Sequence, residues 1–181
     1  MTGNEFKMTE PQILRILGAD IRSATSKYTY YHDRWLYVAR LGELLSSVNN
    51  VRCNAQIIYN NIQSILNSGK IDTQVISDTL QIAISTRKAL DFPERCNPVV
   101  IFEDDRDNEL DKKHREMYNK LILITQTLSL LKSSTSTSKG LIIDWVKDVV
   151  QDLYTVIECV TFLDTRAHAY LKSIVKDDNH E

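Results

Sequence analysis

The chain has 181 residues, of which 43% are hydrophobic and 25% charged, a composition that supports one folded domain and argues against intrinsic disorder. Its formal net charge of −2 gives the whole chain no attraction to nucleic acid or acidic lipid, so we expect neither as a partner. No apolar run approaches about 18 residues, which predicts no membrane span. Three scattered cysteines without a CxxC pair predict reduced thiols in an intracellular protein, cytoplasmic or nuclear.

The first predicted element is a long helix or helix pair over 9–67. Thr9 and Gln12 form a capping-box pattern around Pro11, which suits the first turn of a helix. Apolar residues then recur in alternating steps of three and four, which is a heptad seam. Its first part contains Leu14, Leu17, Ile21, Ala24, Tyr28, Tyr31, Trp35 and Val38. After Val38 the seam shifts by one position and continues from Leu41 to Ile65.

The length of this segment leaves two interpretations open. One helix over 10–66 would be about 85 Å long at about 1.5 Å per residue, whereas a compact globule of this size is roughly 40 Å across. The protein is therefore a rod, or the helix is interrupted. Asparagine costs a helix only about half a kcal/mol, so the pair Asn49-Asn50 permits a kink or break, and we favour one there.

The middle of the chain predicts a turn, a short helix and a loop. Gly69 fits the left-handed position that follows a helix end, and Asp72 fits the N-cap of a helix over 72–91. Two prolines and a β-branched cluster follow, so we predict that 92–105 is an ordered loop. Its "VVIF" stretch at 99–102 is expected to pack on the helices.

The last two predicted elements are helices over 106–132 and 141–176, joined by the polar stretch "SSTSTSK" at 133–139. Each carries an uninterrupted heptad seam, and a short polar connection between such seams predicts an antiparallel helical hairpin. The predicted register sets Leu121 beside Leu153. The fold class is therefore all-α: an elongated helical bundle or coiled coil, forming a single unit over 1–181.

Two groups of residues are predicted to bind a partner. In "YTYYHDRWLYVAR" at 28–40, Tyr30 and Tyr37 lie almost opposite the seam and close to Arg34, and tyrosine and arginine are enriched at protein–protein hot spots. The same stretch could be a nucleic-acid platform, but Asp33 and the negative net charge favour protein. The second group is the apolar end of the last helix, which extends past its hairpin partner: Ala167, Tyr170 and Ile174. We expect the 99–102 loop or another chain to cover it.

No residue pattern names a reaction. The acids of 103–116 resemble a calcium loop, but the sixth position, which must be glycine, is Leu110. His114 is a single histidine on a seam without inward acids, which is typical of a core residue rather than a ligand. There is no nucleophile motif and no phosphate-binding glycine cluster. We therefore predict no catalytic residues, no metal, no cofactor and no small-molecule substrate.

These patterns favour a non-catalytic scaffold or adaptor subunit of an intracellular multiprotein complex. It would hold other protein subunits through coiled-coil seams and an aromatic helix face, as chromosome-segregation, tethering and cytoskeletal subunits do by analogy. A homo- or hetero-oligomer is expected. One alternative is a compact regulatory bundle that binds a partner helix in a groove. Another is a small-ligand or metal enzyme with its site in the bundle core.

Overall fold

A computed structural model describes residues 21–90, 108–134 and 139–178 of the chain. Four α-helices account for almost all of these residues: α1 (Ile21–Ser68), α2 (Thr73–Ala89), α3 (Asn108–Ser133) and α4 (Lys139–Asp178). The described ranges contain no strand, which confirms the all-α prediction. Within them, no helix is both long enough and apolar enough to cross a bilayer.

Helix α1 continues through Asn49 and Asn50, so the chain has no break there, and a kink at this pair stays a prediction. Both asparagines are exposed, while Val48 and Val51 on either side of them are fully buried. Tertiary packing of an apolar face supplies most helical stability in proteins. Burial of the two valines therefore outweighs the small intrinsic cost of two asparagines.

The connection between α1 and α2 has the predicted chemistry. Gly69 has a φ of 63°, and its N–H donates to the Ile65 carbonyl over 3.0 Å, which caps the end of α1. The Asp72 carboxylate accepts from the backbone N–H groups of Gln74 and Val75 at 2.9 and 3.3 Å. The turn and both caps are therefore as expected from Gly69 and Asp72.

The four helices form a ring. In the described part of the chain, α1 contacts α2 and α4, α3 contacts the same two helices, and neither α1 with α3 nor α2 with α4 is in contact. Side-chain pairs set the directions: Asn54 with Thr86 and Asn61 with Thr79, Arg52 with Asp164 and Tyr59 with Tyr154, Lys120 with Asp152 and Glu109 with Arg166. Each set pairs earlier residues of one helix with later residues of its neighbour, so adjacent helices are antiparallel, as in an up-and-down four-helix bundle.

The core follows the predicted seams. Every seam residue is buried from Leu41 to Ile65 on α1, from Leu110 to Leu131 on α3 and from Ile142 to Ala167 on α4, including His114. Burying one leucine or isoleucine side chain contributes about 1.5–3 kcal/mol, so these rows dominate the stability. Supercoiling of the helices and the residue-by-residue hairpin register stay predictions, as does the division of the chain into sub-elements.

Several predictions lie outside the described residues. They concern the start of the first helix at 9–20, the loop at 92–105 with its 99–102 stretch, and most of the serine- and threonine-rich connection at 133–139.

Candidate protein-binding surface

A groove runs between α1 and α4 on the outside of the bundle. It encloses about 850 Å³, within the usual size of a binding cleft. We call it the α1/α4 groove. It is lined by Arg52, Cys53, Ala55, Gln56, Ile57 and Tyr59 of α1 and by Leu153, Tyr154 and Ile157 of α4.

Two large side chains on the groove are exposed although their neighbours are buried. Ile57 is 45% exposed next to Ile58 on the α1 seam, and Tyr154 is 54% exposed next to Leu153 on the α4 seam. Successive helical residues point about 100° apart, so the seam position can bury only one member of each pair. Within the described residues, one aliphatic and one aromatic side chain therefore stay exposed on the groove.

Two tyrosines join the walls of the groove. The rings of Tyr59 and Tyr154 lie 6.2 Å apart between centroids and are tilted by 59°, an arrangement in the range that aromatic pairs favour. A hydrogen bond with Tyr59 raises the pKa of Tyr154. Gln63 also donates its Nε2 to the Tyr59 hydroxyl over 3.1 Å. The polar end of the Tyr59 ring is thus engaged within the chain.

The groove continues along α4. Ile157 lines it and also lines a second, shallower depression of about 730 Å³, formed by α4 residues that end at Ala169. In that depression the Arg166 guanidinium lies 5.2 Å from the centroid of the Phe162 ring, a cation–π distance. From Tyr154 to Ala169 the surface extends roughly 22 Å along the helix axis, the length of about four helical turns.

The charged groups near the groove are paired with each other. Arg52 Nη2 lies 3.4 Å from Asp164 Oδ2, and His168 Nδ1 lies 2.8 Å from the backbone carbonyl of Asp164. Arg166 pairs with Glu109 of α3 over 3.3 Å. These pairs are partly exposed and contribute little stability. Arg52 is the one charged residue among those that line the groove, and its pairing with Asp164 leaves no unpaired charge in that lining.

Thiol chemistry is suppressed at the buried cysteine. Burial, together with the nearby Glu116 carboxylate on α3, raises the pKa of Cys159 to about 11, the opposite of what a nucleophilic thiol needs. Glu116 itself accepts a hydrogen bond from Lys113 Nζ over 2.9 Å, which lowers its pKa. In the described ranges no three histidine, cysteine or carboxylate side chains group as a metal site. The absence of a metal and of catalysis stays a prediction.

The predicted partner-binding residues fall into two places. Tyr30, Arg34 and Tyr37 lie within the helical span of α1, but their side chains are outside the described part. Ala167 is fully buried within the chain, Tyr170 is half-buried against the core, and Ile174 belongs to α4. Contact of any of them with a partner stays a prediction.

The groove residues Ile57 and Tyr154 were missed from the sequence. A signal was present: each is a large apolar or aromatic residue immediately beside a seam residue, so the seam cannot bury it. What the heptad pattern does not contain is which helices lie side by side. Only the packing of α1 against α4 brings these two residues to one groove.

Comparison with models of known protein families, with curated proteins and with solved structures found no match to this chain.

Proposed function

We propose that this protein is a non-catalytic helical adaptor or scaffold subunit that holds another protein chain, with the α1/α4 groove as a docking surface. The observation that carries the proposal is the exposure of Ile57 and Tyr154 on the walls of that groove. Exposed apolar surface rimmed by polar groups marks interaction sites on soluble proteins, and tyrosine and arginine are enriched at interface hot spots.

The shape of the groove favours a helix as the docked element. Two antiparallel helices leave a linear cleft between them, and an amphipathic helix places residues at i, i+3, i+4 and i+7 into such a cleft. The continuation through Ile157 along α4 gives room for about four turns of a bound helix.

Further parts of the proposal rest on sequence alone. The seams would extend as coiled coils with other subunits, and the aromatic face of Tyr30, Arg34 and Tyr37 would be a second docking surface, with the helix end at Ala167, Tyr170 and Ile174 a third. The place of action would be the cytoplasm or the nucleus.

The closed ring of four helices favours a second candidate function. A helical bundle that contacts one partner at one groove would act as a regulator rather than a scaffold. The two candidates differ in stoichiometry. A scaffold holds two different partners at once, and a regulator holds one at a time.

Affinity purification from the native cell tests the docking surface. We expect the wild-type chain to retain a protein that Ile57→Asp loses, because a carboxylate at the centre of an apolar contact is costly to bury. Leu123→Asp is the matched control: Leu123 is an aliphatic residue of similar exposure, 43%, on α3, which does not contact α1 in the described ranges. Equal loss in both variants, with equal melting temperatures, would contradict the proposal.

A further inference from the structure

The exposed surface of α1 after Glu43 has almost no charge. Between Glu43 and Lys70 the only charged residue is Arg52, although a quarter of the whole chain is charged. Arg52 is engaged by Asp164 of α4. The exposed residues of α1 in this range are otherwise amides, hydroxyls, one thiol and one aliphatic side chain: Ser46, Asn49, Asn50, Cys53, Gln56, Ile57, Asn60, Ser64, Asn67 and Ser68.

Helix α4, which lies beside α1, has several charged residues on its exposed surface. Its exposed residues include Asp144, Lys147, Asp148, Glu158 and Lys172. The loss of charge is therefore a property of the α1 surface from Ser46 to Ser68 and not of α4 beside it. Depletion of charged residues is the compositional mark of the centre of an interface. We call this surface the amide face of α1.

The hydrogen bonds along the amide face leave complementary groups. Gln56 donates its Nε2 to Asn60 Oδ1 over 2.9 Å, so the Gln56 carbonyl remains to accept and the Asn60 amino group remains to donate. In an antiparallel two-fold arrangement centred near Ile57, Gln56 of one copy meets Asn60 of the other. The Gln56 carbonyl of each copy then faces the Asn60 amino group of the other copy, which gives two equivalent pairs.

The lack of charge on the amide face favours a second copy of the chain as its occupant. A two-fold axis brings each group near it against its own copy. Carboxylates and ammonium groups repel their copies, whereas an amide carries both a donor and an acceptor and can pair with another amide. An acidic or basic partner would find no opposite charge here. We propose that two copies of this chain associate through the amide face of α1, with Ile57 close to the two-fold axis. This proposal rests on the proposed function, because the second copy would be the chain that docks on the α1 wall of the α1/α4 groove.

The size of the face predicts a weak dimer. From Ser46 to Asn67 the face is about 32 Å long and about 10 Å wide, or roughly 300 Å² of projected surface, and the adjoining half of α4 about doubles that. A stable dimer buries about 800 Å² per partner. We therefore expect micromolar association, with a dimer that dissociates on dilution.

Sedimentation equilibrium from about 1 µM to 1 mM protein tests the proposal. We expect the wild type to move from the monomer mass of 20.8 kDa to twice that value as concentration rises. Ile57→Lys, which sets two like charges near the axis, is expected to stay monomeric with an unchanged melting temperature. Leu123→Lys on α3, with similar exposure and no contact to α1 in the described ranges, is expected to dimerise like the wild type.

Cross-linking gives an independent readout on the same face. In a Cys96→Ser background, the two Cys53 residues would lie about 12–15 Å apart along the helix axis in this arrangement. A bismaleimide with a spacer of about that length is therefore expected to join two copies through Cys53, because Cys53 is exposed on the amide face and Cys159 is buried. The Ile57→Lys variant should lose the covalent dimer.

A wild type that stays monomeric throughout, or a Leu123→Lys variant as impaired as Ile57→Lys, overturns the proposal. If the chain is monomeric but Ile57→Asp still loses a captured protein that Leu123→Asp keeps, the self-association proposal fails and the adaptor function stands. If substitutions at Ile57 change neither mass nor capture, both fail.

Discussion

The α1–α2 and α3–α4 pairs are both antiparallel but are joined by different chemistry. Between α1 and α2, Asn54 Nδ2 donates to Thr86 Oγ1 over 2.9 Å and Asn61 Nδ2 donates to Thr79 Oγ1 over 3.0 Å, and both threonines are buried. Between α3 and α4 the polar links are ion pairs at the edge of the interface, such as Lys120 with Asp152. The first pair has polar bonds inside its interface, whereas the second buries a seam that is apolar except for His114 and has its ion pairs at the margin.

This difference in chemistry determines how strongly each helix pair is held in one alignment. The two asparagines are seven residues apart, and so are the two threonines, so one alignment of α1 with α2 satisfies both bonds together. Sliding one helix by a turn would leave buried threonine oxygens and asparagine amides without these partners, at a cost of about 1–3 kcal/mol each. Uncharged polar pairs therefore specify the α1–α2 register, while exposed ion pairs restrict the α3–α4 register only weakly.

The largest expected effect is a contrast in thiol reactivity between the two pairs. With Cys96 replaced by serine, exposed Cys53 on α1 should react with iodoacetamide at the rate of a free thiol. Cys159 lies inside the α3–α4 interface and should react only when the fold opens, which costs about 5 kcal/mol or more. Mass spectrometry of labelled peptides should show Cys159 slower by at least about a thousandfold. Rapid labelling of both would mean that the α3–α4 interface is open.

The pH dependence of Cys159 sharpens the same point. Its pKa is raised from 9.0 to about 11, mainly by burial, so the folded state holds the proton more tightly than the unfolded state. The stability associated with this thiol is complete below pH 9 and is lost as pH rises through about 11. Thermal melts in this range should fall more steeply for the wild type than for Cys159→Ala.

The next effect is on the apolar seam of the second pair. Leu121→Ala should lower the free energy of unfolding by about 2–5 kcal/mol, because the side chain is fully buried and its removal leaves a cavity. Leu123→Ala, on the exposed side of the same helix, should change it by less than about 0.5 kcal/mol. Urea denaturation of both variants measures the difference. Equal costs would mean that α3 does not present the Leu121 face to the core.

The polar bonds of the first pair should give a smaller loss. Thr79→Val and Thr86→Val keep the side-chain shape but remove the oxygen that accepts from Asn61 or Asn54, at about 1 kcal/mol each. Each threonine hydroxyl also donates a hydrogen bond to a carbonyl of its own helix, and the change to valine removes that bond as well. Wild-type stability in the double variant would show that the buried bonds do not hold the α1–α2 register.

The seams could be predicted from sequence because burial follows the three-four spacing directly. The uninterrupted course of α1 could not, since the intrinsic cost of Asn49 and Asn50 is small and the burial of Val48 and Val51 decides the outcome. The α1/α4 groove could not either. Heptad spacing predicts that Ile57 and Tyr154 lie off their seams. That α1 packs against α4 and not against α3 depends on how all four helices are arranged in the ring.

The smallest expected effect comes from the ion pair between α3 and α4. Lys120 Nζ lies 2.8 Å from Asp152 Oδ1, and both side chains keep contact with solvent at 31% and 14% exposure. A double-mutant cycle with Lys120→Met and Asp152→Asn should give a coupling of about 0.2–1 kcal/mol, reduced in about 1 M salt, where the screening length is about 3 Å. The hydrogen bond with Asp152 raises the pKa of Lys120, so the coupling should be complete below the ordinary value of 10.5 and disappear as pH rises above it. The same cycle on Arg52 and Asp164, which are 3.4 Å apart and more exposed, should give less. A coupling above about 2 kcal/mol for Lys120 would mean that polar pairing fixes the register of both helix pairs, and the contrast between them would not hold.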